Sequence, residues 1–293
     1  MKHELGDKAG SAVVNTADDE IFFGLHVSPD LDTVTYTLAG LGDDVKGWGI
    51  AGDTFQALEM LGRLGCETWF KLGDRDLATH IYRTMRLRDG ATLTEVTGEI
   101  ASRLGVGWEI LPMTDETVRT WVETTSGFIP FQTYFVKNMA MDKIISIQYR
   151  GIEKARPTPQ VVRAIKEAEA LIICPSNPIA SIGPILDLPS VRGMIRNADG
   201  RVVAVSPIVG GRAIKGPAAK MMAELGIDPS PVGVAELYRD ILDVMIIDDA
   251  DASQRGEITT LGIDVLVTNT IMNTIVDKRA LARRCLEAAG IKK

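Results

Sequence analysis

Three short apolar runs constrain this chain more than any other feature. They are "ALIIC" up to Cys174, "RVVAV" up to Val205 and "VMII" up to Ile247. Each is too short for a buried helix and rich in branched aliphatics, which suits a strand buried on both faces. Helical patterns lie between and around them: "TPQVVRAIKEAE", "PSVRGMIRN", "GPAAKMMAELG" and "DKRALARRCLEAAG". Apolar strands alternating with amphipathic helices predict an α/β fold, a Rossmann-like parallel sheet with helices on both faces.

The first half is more mixed. A short strand is expected over Ala12 to Asn15. "DLDTVTYTLAGL" predicts a helix capped by Asp30 or Asp32. "GDTFQALEMLGRLG" predicts another, with an Asp cap and a closing Gly65. "GDRDLATHIYRTMRLRDG" opens on acids and ends on arginines, the order the helix dipole favours. "TLTEVTGEIASRLG" carries a capping box, Thr92 with Glu95. The strand-like pieces "WEILPM", "VRTWVET", "GFIPFQTYFV" and "IISIQYRG" then predict a β-rich insertion. The expected organisation is one Rossmann-like domain over residues 1–293, with an inserted α+β subdomain near 20–155 and a second half over 156–293.

Ligands of such sheets sit at the carboxyl ends of the strands, so the strand-end loops are the place to look. Asn15-Thr-Ala-Asp18-Asp19 follows the first strand, Pro175-Ser176-Asn177-Pro178 follows Cys174, and Ser206-Pro207 follows Val205. Lys215-Gly216-Pro217 then opens a helix, whose free N–H groups suit phosphate oxygens. Any one of these loops is adequately read as turn chemistry. Three on one rim predict a ligand site. "SPDLDT" adds Asp30 and Asp32 to Asp18 and Asp19, and such carboxylates can hold Mg²⁺ against a diphosphate. The plainer reading of Asp30 is a helix cap. In "WFKLGDRDLATH", Lys71 and Arg75 are placed to steer an anionic substrate, or simply to serve a well-capped helix. Asp76 and His80, four apart, share a helix face.

The net charge of −7 argues against a general nucleic-acid or membrane-surface binder. Cys66, Cys174 and Cys285 are an odd, scattered set, which fits a reducing cytoplasm better than a disulfide framework or zinc site. No apolar run of about 18 residues predicts a membrane span, and "MKHELGDKAG" lacks a signal peptide's apolar region.

Taken in order, "VVNTADD", "SPDLDTV", "KLGDRDLATH", "CPSNPIASIGPIL", "VAVSPIVGG", "IKGPAAKMM" and "GVAELYRD" resemble the 2-phospho-L-lactate transferase family of coenzyme F420 biosynthesis, over about residues 12–290. The resemblance implies a cytoplasmic, Mg²⁺-dependent phosphotransferase, often a homodimer. It would move a phospholactyl or phosphoenolpyruvyl group from a GDP-activated diester to the ribityl hydroxyl of a deazaflavin (7,8-didemethyl-8-hydroxy-5-deazariboflavin), releasing GMP. It places Asp32, Lys71 and Arg75 on the acceptor, with Asp30 and Asp32 as catalytic carboxylates. Pro175, Ser176, Asn177, Pro178, Ser206, Pro207 and Gly216 fall on the nucleotide side, and Asp18 and Asp19 on the metal. The 20–155 insertion would then bind the acceptor and the 156–293 half the nucleotide. The motifs leave open which three-carbon acid is used.

One departure stands out. The family opens with a strand, a Gly-rich phosphate loop and a helix, and "MKHELGDKAG" shows neither the loop nor the strand. That suggests either a start placed too late or an inactive, shortened paralogue. A further alternative is a non-catalytic nucleotide-sugar-binding regulator of the related gluconeogenesis-factor family, which "SPDLDT" and "KLGDRDLATH" fit less well.

Overall fold

The computed structural model describes residues 1–6 and 10–291. A helical turn, α1 (Lys2–Leu5), precedes strand β1 (Ser11–Val14) and a tight hairpin of β2 (Glu20–Phe22) and β3 (Leu25–Val27). Helix α2 (Pro29–Ala39) follows at once. Its cap position is Ser28, with Pro29 in the first turn, so Asp30 and Asp32 lie inside the helix and neither is the cap. Gly40 ends it at φ 72°.

Helices α3 (Gln56–Arg63), α4 (Asp74–Arg88) and α5 (Leu93–Arg103) come next. The Thr92–Glu95 capping box forms as expected. The Asp cap expected on α3 does not. Asp53 instead accepts hydrogen bonds from the Arg75 and Asp76 amides at the start of α4. In return Asp74 accepts from the Gln56 and Ala57 amides at the start of α3. The two helices cap each other. Gly73 permits this, since a Cβ there would lie 2.3 Å from the Asp53 carboxylate.

Strand β4 (Glu109–Pro112) pairs in parallel with β1, so "WEILPM" is not part of the antiparallel sheet that follows. The insertion proper is the antiparallel sheet of β5 (Arg119–Thr124), β6 (Gly127–Pro130) and β7 (Ile144–Arg150), in order β6-β5-β7. The second part of "GFIPFQTYFV" is a helical turn (Thr133–Lys137) that buries Tyr134.

The second half alternates as predicted. Helix α6 (Pro159–Glu167) is capped by the Thr158 hydroxyl. Then come β8 (Ala170–Ile173), α7 (Gly183–Asp187), α8 (Val191–Arg196), β9 (Arg201–Val205), the two-residue strands β10 (Ile208–Val209) and β11 (Arg212–Ala213), α9 (Ala218–Glu224), α10 (Pro231–Tyr238), β12 (Val244–Ile247), α11 (Arg255–Thr260), β13 (Asp264–Val267) and α12 (Ile275–Ala288). Strands β13-β12-β9-β8 form a parallel sheet. Its central strands are buried on both faces. Val203, Val205, Val244 and Ile246 face α12, while Val202, Ala204, Met245 and Ile247 face the larger core. That is why these runs show no alternation in sequence.

The α/β class with parallel strands and helices is as predicted, and the parallel strands fall into two sheets. Strands β1 and β4 form a separate two-stranded unit. Of the opening segment, Lys2–Leu5 is helical and residues 7–9 lie outside the described part.

Candidate active site

The turn after β1 gathers carboxylates that have little to balance them. Asn15 organises it. Its amide nitrogen donates to Asp30 Oδ2 at 3.0 Å and to the Ala180 carbonyl at 3.3 Å. Its oxygen accepts from the Ala17 amide. One side chain therefore joins the β1 turn, the first turn of α2 and the segment after β8. Asp18 and Asp19 are buried next to it. Asp19 Oδ2 accepts from Ser28 Oγ at 2.7 Å and lies 2.8 Å from His26 Nε2. The other oxygen of each acid, Asp18 Oδ1 and Asp19 Oδ1, is buried without a well-formed hydrogen bond.

The electrostatics follow from that placement. Burial pushes the Asp18 carboxyl well above the usual carboxylate range, and the charges of Asp30 and Asp19 push it further. Burial likewise raises Asp30, to about 6, against an opposing hydrogen bond from Asn15, with Asp19 adding to the rise. Two raised carboxyls beside a third buried acid are what a polyvalent cation would relieve. A cleft of about 270 Å³ opens beside them, with Thr16, Asp19, His26 and Arg119 in its walls.

A second cluster lies between α2 and α4, and there each carboxylate is paired, although His80 Nε2 and Arg83 Nε are buried without a well-formed hydrogen bond. Both Asp32 oxygens accept from the Arg83 guanidinium. His80 Nδ1 stands 3.2 Å from Arg83 Nη1, and His80 Nε2 lies 3.3 Å from Asp76. Tyr36 donates to Asp76 at 2.7 Å. All five side chains are buried. Burial opposes the Arg83 charge, but Asp32 outweighs it and keeps the guanidinium firmly protonated. Burial also opposes the Asp76 charge, and hydrogen bonding to His80 and Tyr36 holds the carboxyl below its ordinary value. Among the described residues, Asp32, Asp76 and His80 bring three ligand atoms within 4.8 Å of one another. Arg83 and Tyr36 already occupy those carboxylates.

The loops expected on the nucleotide side converge, although their polar groups are partly engaged. Asn177 caps the helical turn Pro178–Ile182 by accepting from the Ile179 and Ala180 amides, and its nitrogen contacts Met221 Sδ on α9. Tyr149 holds the same turn through the Ile179 carbonyl. Pro178 is buried at its start, while Pro175 and Ser176 are half-buried. Ser206 is buried and spends its hydroxyl on the Ile208 amide and carbonyl, forming a closed turn over Pro207. Gly216, at φ 73°, is exposed just before α9.

Lys71 is exposed and makes no hydrogen bond or ion pair with the described residues. Arg75 is a strut: its guanidinium donates to the Ala51 carbonyl at 2.6 Å and lies 3.6 Å from Asp53. Asp32 and Asp30, one turn of thought in the sequence, thus face different environments: Asp32 inside the satisfied cluster, Asp30 at the rim. The sequence pattern placed Asn15 in a rim loop without a role of its own and did not point to Arg83. Asn15 had a signal, since it is the first polar residue after an apolar strand. Arg83 had only its three-residue spacing from His80.

Comparison with known proteins bears on this arrangement. The family model described as "2-phospho-L-lactate transferase CofD" matches residues 3–271. A 2-phospho-L-lactate transferase from Methanococcoides burtonii is 40% identical over 284 residues, covering 97% of this chain and 92% of that protein. A phosphoenolpyruvate transferase from Streptomyces griseus is also 40% identical, covering 99% and 93%. A crystal structure of a UPF0052-family protein from Bacillus halodurans superposes with a TM-score of 0.56 at 14% identity, covering 92% of this chain and 90% of that one. That last likeness speaks to the fold alone.

Proposed function

The chain belongs to the 2-phospho-L-lactate transferase CofD family, a family of transferases, and from that premise we propose the reaction it carries out. It moves a phospholactyl or phosphoenolpyruvyl group from a GDP-activated diester to the terminal ribityl hydroxyl of a deazaflavin in coenzyme F420 biosynthesis, in the cytoplasm and as a homodimer. The phosphorus–oxygen bond to the acceptor forms as the bond to GMP breaks. Relatives named for each three-carbon acid match equally well, so both donors stand.

The observation that carries this reading is the uncompensated carboxylate cluster at the end of β1, joined through Asn15 to the segment after β8. The orphaned oxygens of Asp18 and Asp19 and the raised Asp18 carboxyl fit a bound Mg²⁺, with Asp18 and Asp19 as holders. When bound, Mg²⁺ would neutralise charge on the diphosphate. No covalent intermediate on the protein is needed, because a hydroxyl attacks phosphorus directly. The residues position the two substrates and take one proton. Asp30, half-buried at the rim and raised by burial to about 6, is left free of the metal and suited to take the proton. Asp32, held by Arg83, fixes α2 so that Asp30 points at the rim. It acts on the acceptor by positioning rather than by direct proton transfer. Lys71 is the unpaired cation beside the acceptor. The backbone of the Asn177 turn and the Gly216 segment face the nucleotide.

Purified protein given deazaflavin, Mg²⁺ and either GDP-activated acid should release GMP and form the phosphodiester, followed by chromatography. Absence of product with both donors rejects the transferase reading. Saturable binding of a nucleotide sugar, with none of the deazaflavin, would favour the regulatory alternative.

A further inference from the structure

The turn Pro178–Ile182 is held by two partners from distant parts of the chain. Its Ala180 carbonyl accepts from Asn15, in the loop after β1, at 3.3 Å. Its Ile179 carbonyl, one residue earlier, accepts from the Tyr149 hydroxyl on β7 of the antiparallel sheet. Burial pushes the Tyr149 phenol above its ordinary value, and the charges of Asp187 and Asp18 push it further. The hydroxyl therefore keeps its proton and stays a donor to the turn.

Gly183, directly after the turn, shows how closely the phenol is fitted. Its φ of −51° is ordinary helical backbone, where glycine is the weaker choice. The reason for glycine is space. A Cβ at this position would run into the Tyr149 hydroxyl and come within 3.1 Å of the Pro178 carbonyl oxygen. The phenol takes the room that a side chain at 183 would fill. Tyr149 also stands directly opposite Thr120 on β5, so the two side chains share one face of the sheet. Thr120 is buried and lies against Asp18, whose ionisation its hydroxyl favours. One rung of this sheet thus touches both the carboxylate cluster and the turn that Asn177 caps.

We propose that Tyr149 is a positioning residue for the donor: it sets the spacing between the Asn177 turn and Asp18, and Gly183 leaves it the room to do so. This rests on the transferase reading above and deepens it. In that reading the Asn177 turn faces the nucleotide, and Asp18 holds the metal at the diphosphate. Their spacing must then match that between nucleoside and phosphates. Tyr149 acts on it through the Ile179 carbonyl, from a sheet that belongs to neither.

The test compares Tyr149→Phe, Gly183→Ala and the double variant in the full-length protein. GDP, the nucleotide part of the donor, is the binding probe in calorimetry with Mg²⁺, and KM is measured separately for donor and acceptor. Tyr149→Phe, which loses one hydrogen bond, should weaken GDP binding and raise donor KM about fivefold, with acceptor KM changed by less than about twofold. Gly183→Ala should weaken GDP binding by about fivefold or more, because its Cβ drives the hydroxyl off Ile179. In the double variant the hydroxyl is gone and the nearest ring carbon lies 3.2 Å from that Cβ. Gly183→Ala should then add less than about twofold to Tyr149→Phe. Two unrelated losses of stability would add in full instead. Unchanged GDP binding and donor KM in Tyr149→Phe overturn the proposal and leave the transferase reading intact. Equal losses for donor and acceptor, or fully additive effects, overturn it as well. No turnover and no GDP binding by the wild type reject the transferase reading itself, and this proposal with it.

Discussion

The two buried clusters of charge in this molecule are built on opposite principles. Between α2 and α4, every acid has a partner: Arg83 for Asp32, and Tyr36 and His80 for Asp76. At the end of β1, Asp18, Asp19 and Asp30 lie close together, helped by Asn15, Ser28, Thr120 and His26 rather than by a paired guanidinium. Desolvation is costly in both places, but only the first cluster repays it internally. An unrepaid cluster of this kind is what the proposed Mg²⁺ would relieve. The neighbouring repaid cluster is the frame that keeps it in position.

The comparison breaks most sharply on mutation. Asp18→Asn and Asp30→Asn should each lower kcat by about 10²–10³-fold, in the range seen for lost charge stabilisation. Their melting temperatures should hold or rise, because each removes repulsion. A fall in stability comparable to that in activity would mean the cluster is structural. Arg83→Met should behave the other way. It strands Asp32 in the interior and should cost about 3–5 kcal/mol, read by urea unfolding.

Titration separates the clusters next. Without Mg²⁺, the Asp30 carboxyl is raised from 3.8 to about 6 in the folded protein. The folded state then binds more protons than the unfolded chain across that interval. Its stability contribution is full below about pH 4 and lost as pH rises through about 6, a change of about 3 kcal/mol. Asp30→Asn should flatten this slope. Asp76 runs oppositely: its lowered carboxyl adds stability above its unfolded value, lost as pH falls through the folded one. Added Mg²⁺ should stabilise the wild type at pH 7 by about 2.7 kcal/mol at a hundred times Kd, and Asp18→Asn by much less. Calorimetric melting with and without the ion checks this. Smallest of all, Asp74→Ala, outside both clusters, should cost about 1 kcal/mol through lost capping without changing the Mg²⁺ response.

How much of this was legible in the sequence depended on distance along the chain. The β9 and β12 runs, the Thr92 box and the Asp76–His80 pair were legible, because each rests on residues a few positions apart. The Asp32–Arg83 bond spans 51 residues and the Asn15–Ala180 bond 165, and no local pattern encodes such pairs. The pairing of "WEILPM" was illegible for the same reason: whether a strand joins β1 or the antiparallel sheet is decided by its partner. "GFIPFQTYFV" misled differently. Its aromatics suit a strand equally well, and only the burial of Phe131 and Tyr134 against the core bends it into a helical turn. In the site, the acids were legible as a group, but which were balanced was not, since the balancing arginine lay elsewhere.

The exchange of caps between Asp53 and Asp74 has a consequence for motion. Neither helix α3 nor α4 can fray at its start without freeing the other's first amides. Their opening is therefore one event, and deuterium should enter the amides of Gln56, Ala57, Arg75 and Asp76 at a common rate.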